Sequence, residues 1–121
     1  MKIQQYEKTN LYIVEVENNE AGNVFDEVNA FFSTNLDFEK IRLLGIFEEF
    51  EDFESVKQFV QHMQVDHSKV TRLEKYAAIS NQRWLAQVLE FENKLVPKIP
   101  FRFFKNGKKQ KAIDWLLSEV N

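Results

Sequence analysis

Apolar residues in this chain follow two rhythms, compact runs that suit strands and spaced stripes that suit helix faces. Leu11-Tyr12-Ile13-Val14-Glu15-Val16-Glu17 is rich in β-branched and aromatic residues and alternates near its end, which predicts a strand. Residues 2–7 are its expected hairpin partner, with Lys8-Thr9-Asn10 in the turn. Between Asn19 and Asn35, Val24, Phe25, Val28, Phe31 and Phe32 fall at the spacing of one helix face. Lys40 to Phe47 is a nearly continuous apolar run, the signature of a central strand covered on both faces. Phe53, Val56, Val60 and Met63 then mark a second helix, and the polar stretch Asp66–Glu74 reads as irregular.

Two strand-then-helix units follow. Lys75–Ser80 is a strand, and the helix expected from Gln82 to Leu95 carries a buried stripe of Trp84, Leu85, Val88, Leu89 and Leu95. Pro97 and Pro100 bracket the entry to a last strand on which Ile99, Phe101 and Phe103 share a face. Asn106-Gly107 supplies a turn, and a final helix buries Ile113, Leu116 and Val120 with Trp115 at its rim. Strand and helix alternate four times with no linker or repeat. That predicts one α/β domain over residues 1–121, with a mostly parallel sheet of four or five strands and about four helices.

Composition narrows the chemistry. The chain is 44% apolar, with 12 Phe against 2 Trp and 3 Tyr, ample material for one core. With no Cys there is no disulfide or thiolate chemistry, which suits a reducing cytoplasm. The first residues lack the apolar core of a signal peptide, and no apolar run approaches the roughly 18 residues of a membrane span. A soluble cytoplasmic protein is expected. The net charge is −3, too acidic for general nucleic-acid binding. It is unevenly spread: residues 1–81 hold 8 Lys+Arg against 15 Asp+Glu, while residues 82–121 hold 8 against 4.

The segments Lys75–Trp84, Phe101–Phe104 and Ala112–Leu116 together resemble the bacterial SpoIIAA-like proteins, a STAS/Sec14-like family. Ile41–Leu44 and the Asp52-Phe53 pair after it fit the same pattern. The likeness spans the chain in element order and is closest in sequence from about residue 40 onward. It implies a superhelix of βα turns, as in anti-sigma-factor antagonists and CRAL-TRIO lipid-binding domains. In the antagonists a phosphorylatable Ser follows an Asp directly, with a Gly close behind. Here Ser55 is separated from Asp52, has no Gly near it, and would carry a phosphate among Glu51, Asp52 and Glu54, which repel it. Ser55 therefore reads as a plain first-turn serine. The second departure is that basic residues open the last helix.

That second departure carries the one anion-site hypothesis. Lysines at a helix N-terminus oppose its partial positive charge, and a bound anion would relieve the conflict. In a parallel sheet the junctions at Ser80–Arg83 and Lys105–Lys111 open on the same carboxyl edge, where ligands gather. Asn81, Arg83, Asn106, Lys108 and Lys109 are the expected anion-binding set; the plainer reading is solvated lysines, or lysines paired with the acidic run Glu48–Glu54. His62 and His67 would sit about 140° apart on a helix, so no shared metal is expected. The carboxylates at Glu48, Glu49, Glu51, Asp52 and Glu54 have no evident nucleophile beside them, and the three glycines form no phosphate loop.

No catalytic residue, metal or cofactor is expected. The function this supports is a non-enzymatic binding or protein-interaction module of a bacterial cytoplasm, acting on a protein partner or as a homodimer. The alternative is a small lipid or anionic-metabolite binding protein in the Sec14 manner, with the surplus phenylalanines lining a pocket rather than filling a core. An enzyme using the acidic junction is a third class.

Overall fold

A computed structural model describes residues 1–17, 24–34, 37–48, 50, 53–65, 72–94 and 99–119. In chain order the elements are β1 (Lys2–Gln5), β2 (Leu11–Glu15), α1 (Val24–Phe32), β3 (Ile41–Phe47) and α2 (Phe53–Val65). They continue with β4 (Leu73–Ser80), a 3₁₀ turn (Gln82–Trp84), α3 (Leu85–Lys94), β5 (Phe101–Lys105) and α4 (Lys109–Leu117). The sheet has five strands in the order β1-β2-β3-β4-β5. The β1–β2 hairpin is antiparallel, and every other neighbouring pair is parallel. This is the expected α/β domain with a mostly parallel sheet and four helices.

Strand order decides where the helices go. Each parallel strand is added beside the last in one direction, and right-handed crossovers then place every connecting helix on the same face. The burial follows that rule. Val28 and Phe32 of α1, Val56, Val60 and Met63 of α2, and Val88 and Phe91 of α3 pack with Tyr12, Val14, Leu43 and Tyr76. The last helix is not a crossover, and it covers the opposite face. Ala112, Ile113 and Leu116 of α4 pack on Leu11, Ile13, Leu44, Ile46, Ala77 and Ile79. Covered on both sides, β3 and β4 need apolar residues at successive positions, which is why Leu43–Phe47 and Tyr76–Ile79 read as unbroken runs.

Three expectations shift. β4 starts at Leu73, two residues early, because Leu73 is buried and pairs with Ile41. The ladder then slips: Arg42 pairs with Lys75, which leaves Glu74 as the extra residue of a bulge. The helix expected from Gln82 begins as a 3₁₀ turn, and its buried stripe is Trp84, Val88 and Phe91. Leu85 and Leu89 lie one residue off that stripe and are 45% and 52% exposed. The i, i+4, i+7 spacing of the three buried residues sets the rotation, and the two leucines cannot share it. Leu95, Val120 and the approach to α1 at residues 19–23 lie outside the described residues.

Most of the phenylalanines fill the core. Phe32, Phe47, Phe50, Phe53, Phe59 and Phe91 are buried, and Phe31, Phe38, Phe101 and Phe103 pack on them from its margin. Phe47 meets Phe50 and Phe59 edge-on at centroid distances of 5.4 and 5.3 Å, the preferred geometry for such rings.

Tyr76 lies among these rings, stacked on Phe101 at 5.0 Å, and its buried hydroxyl has no hydrogen-bond partner among the described residues. An unpaired buried hydroxyl costs about 1–3 kcal/mol, so Tyr76→Phe is expected to be neutral or to stabilise by about 1 kcal/mol. Burial also pushes the Tyr76 hydroxyl well above its ordinary pKa of 10.0. The tyrosine's contribution is therefore intact below that value and declines as the pH rises past it, where the unfolded chain ionises first. Urea titrations at about pH 8 and about pH 11 should show Tyr76→Phe pulling further ahead of the parent at the higher pH. A constant gap would refute the buried-hydroxyl account.

Candidate interaction surface

At the amino edge of the sheet, cations from the strands collect the carbonyls that helices leave free at their C-termini. Arg42 on β3 donates Nη1 to Leu116 O and, at 2.6 Å, to Ser118 O at the end of α4. Its Nε meets Glu74 Oε1 at 2.8 Å, and Asn10 Nδ2 donates to the same oxygen at 3.0 Å. Lys75, 3% exposed, donates Nζ to Trp115 O at 2.6 Å and Ser118 Oγ at 2.8 Å. The same ammonium sits 4.4 Å from the Trp115 ring centroid. Burial, and then the Arg42 charge, lower the Lys75 pKa, and Glu74 partly offsets them. The bulge makes this possible by setting Glu74 and Lys75 both beside Arg42. Arg72 does the same for α1, donating to Phe32 O at 3.1 Å and Thr34 O at 3.0 Å, and to Phe38 O. These groups close helix ends; their hydrogen-bonding capacity is spent on the fold.

The carboxyl edge holds the residues expected to bind an anion, and the structure does not bring them to one point. Asn81 Oδ1 accepts from the Arg83 backbone N–H at 2.9 Å, which starts the 3₁₀ turn, and the Arg83 side chain is exposed. Asn106 and Lys108 are exposed in the turn made by Gly107 at φ 88°. Lys108 opens α4 with no side-chain cap. Lys109 lines a cleft of about 480 Å³ with Lys2, Glu15, Glu17 and Glu48. The reason is topological. The two junctions share an edge, but α3 and α4 leave it on opposite faces of the sheet, so their N-termini diverge. In that cleft Lys109 shares the walls with the carboxylates of Glu15, Glu17 and Glu48.

Ser55 lies in the first turn of α2, half-buried, next to Glu54. Glu49, Glu51, Asp52, His67 and the side chain of His62 fall outside the described residues.

The largest exposed apolar side chains among the described residues are Leu85, Leu89 and Leu117. Leu85 and Leu89 flank a niche of about 130 Å³ whose walls include Val88, Phe103 and Phe104, with Ser80, Asn81, Glu92 and Lys105 at its rim. Beside it runs β5, the last strand of the sheet, whose outer edge pairs with no other strand among the described residues. Tyr76 N–H donates to Pro100 O at 3.0 Å, so alternate residues from Pro100 turn their peptide groups toward β4. The peptide groups of Phe101 and Phe103 and the N–H of Lys105 accordingly face outward, while Lys105 O accepts the Lys108 N–H at 3.1 Å and closes the turn. Glu92 of α3 reaches over the edge, and its Oε1 accepts the Phe103 N–H at 3.3 Å. Sequence reasoning counted Leu85 and Leu89 as core and passed over Glu92. The signal for the leucines was their offset from the 84-88-91 stripe; Glu92 had none.

A superhelix of βα units with its connecting helices on one face and its final helix on the other is the architecture of a STAS-type domain. The chain belongs to the SpoIIAA-like family, whose sequence model matches residues 11–117. Compared with curated proteins and with solved structures, it matched none.

Proposed function

We propose that this STAS-type domain is a non-enzymatic protein-interaction module, and that it works through the α3–β5 edge. The observation that carries this reading is the size and chemistry of the apolar niche there. Small-molecule sites run to about 300–1,000 Å³. A space of about 130 Å³ holds one side chain, not an acyl chain. Two larger clefts among the described residues, of about 480 and 340 Å³, are lined largely by Lys, Glu and Gln, which does not suit a lipid tail. Three carboxylates in the first of them also weigh against an anionic metabolite. An open strand edge flanked by two exposed leucines, by contrast, offers main-chain hydrogen bonds and apolar contact together, as strand-addition interfaces do.

The family resemblance favours a bacterial cytoplasm as the setting. No helix among the described residues is long and apolar enough to cross a membrane.

Native mass spectrometry of the freshly purified chain, followed by denaturing extraction, tests the reading. The expected result is a protein free of any releasable mass of a few hundred daltons; such a mass would establish the carrier alternative instead. Leu85→Glu with Leu89→Glu should leave stability within about 0.5 kcal/mol per substitution, since both side chains are exposed. A much larger loss in a thermal melt would mean that these leucines belong to the core after all.

A further inference from the structure

We infer that the partner of the α3–β5 edge is a second copy of this chain, joined β5 to β5 in an antiparallel register centred on Phe103. The inference rests on the interaction-module reading above and adds the partner and the contacts. Its basis is that this edge is self-complementary in both hydrogen bonding and charge.

The outward groups are the peptide groups of Phe101 and Phe103 and the N–H of Lys105, on alternate residues placed symmetrically about Phe103. A two-fold axis at Phe103 sets Phe103 opposite Phe103 and Phe101 opposite Lys105 of the second copy. The Phe103 pair exchanges two main-chain bonds, and on each side of the axis the Lys105 N–H donates to Phe101 O of the other copy, while Lys105 O stays with the Lys108 N–H at 3.1 Å. A closed two-fold contact of this kind uses the same patch on both molecules and leaves neither β5 edge free to propagate.

Side chains fit the same register. Phe101, Phe103 and Lys105 point to the face covered by α3, where Glu92 overhangs the strand. Lys105 of the second copy, opposite Phe101, falls within reach of that carboxylate. In the single chain Glu92 occupies the Phe103 N–H, which keeps the edge from pairing with any strand that drifts by. In the dimer Phe103 takes its bond from the second copy's main chain, and the freed Glu92 takes the incoming ammonium. On the other face Arg102 already lies 5.2 Å from the Phe104 ring centroid. The register brings Phe104 of the second copy opposite Arg102, so the cation–π contact is kept in a second, interchain form. Leu85 and Leu89, beside Phe103 and Phe104, then lie against the second copy's strand and lose their exposure to water. The Lys105–Glu92 pair forms once on each side of the axis.

A charge swap tests this, read by sedimentation velocity and native mass spectrometry on the full chain over a range of concentrations. The parent should pass from 14.4 kDa to twice that mass as concentration rises. Glu92→Lys and Lys105→Glu, each alone, set like charges face to face and should weaken dimerisation by about 10-fold or more. The two together restore the pair and should return the dissociation constant to within about 3-fold of the parent. Far-ultraviolet spectra and thermal melts of each variant separate lost pairing from lost folding. An empty monomer at every concentration up to about 500 µM would overturn the dimer and leave the interaction-module reading standing. A dimer indifferent to both swaps would also overturn it, because the contact would then use another face. A released small molecule would overturn the interaction-module reading, and this inference with it.

Discussion

Replacing Gly45 by Val is expected to lower the stability of the fold by about 3 kcal/mol, the upper part of the range for overpacking a core. Gly45 sits in the middle of β3, and a Cβ built on it would lie 2.8 Å from Phe47 Cε2 and 3.4 Å from Phe47 Cζ. The Phe47 ring, two residues along on the same face, folds back over the space the glycine leaves. It cannot retreat, because Phe50 and Phe59 hold it edge-on and it is only 1% exposed. Tyr76 Oη, 3.6 Å from the same Cβ position, closes the other side. Val adds two further carbons to that conflict.

Gly45→Ala should cost less. The Cβ clash remains, but the lower chain entropy of alanine returns about 0.5–1 kcal/mol. The order parent, Ala, Val should appear in urea midpoints, with Val about 1.5 M below the parent at the slope usual for a domain this size. A Val variant that melts with the parent would mean that the ring has an alternative position.

The second large effect is expected at the amino edge. Arg42→Ala removes the donor to Leu116 O and Ser118 O and takes from Glu74 its ion-pair partner, leaving the Asn10 hydrogen bond. The side chains of Arg42 and Glu74 are 15% and 26% exposed, so solvent screens the loss in part. Removing charge-assisted bonds of this kind costs about 1.5–3 kcal/mol, and we expect about 2 kcal/mol here. The damage should be local to α4, because the free carbonyls lie at its last turn. Hydrogen exchange should therefore speed up in residues 109–117 before it does in β3. Arg42→Ala with Glu74→Ala should cost less than the sum of the two singles by about 1 kcal/mol, since each single strands the partner of the other. Strict additivity would show that the two do not act as a unit.

How much of this was legible beforehand differs from element to element. β2, β3 and β5 were readable from their apolar runs, and α1, α2 and α4 from their stripes. α3 was readable as a helix but not in its rotation. Seven apolar residues between Trp84 and Leu95 admit more than one face, and the contacts of Trp84 with Phe53 at 5.4 Å and of Phe91 with Phe53 at 6.2 Å choose among them. Asn81 and Lys109 of the expected anion-binding set line separate cavities for a similar reason. The sequence places Asn81, Arg83, Asn106, Lys108 and Lys109 at one edge of the sheet, but it carries no mark of which face each helix covers.

By itself the sequence determined the alternation of strands and helices, the α/β class and the family, because those rest on periodicities of two and 3.6 residues that are local to each segment. Only the tertiary structure decided what faces water. It put Lys75 in the interior as a helix cap, Leu85 and Leu89 outside it, and Glu92 over the open edge of β5. Each of those placements depends on a residue far away in the chain, and burial is a property of the packed whole that no local pattern carries.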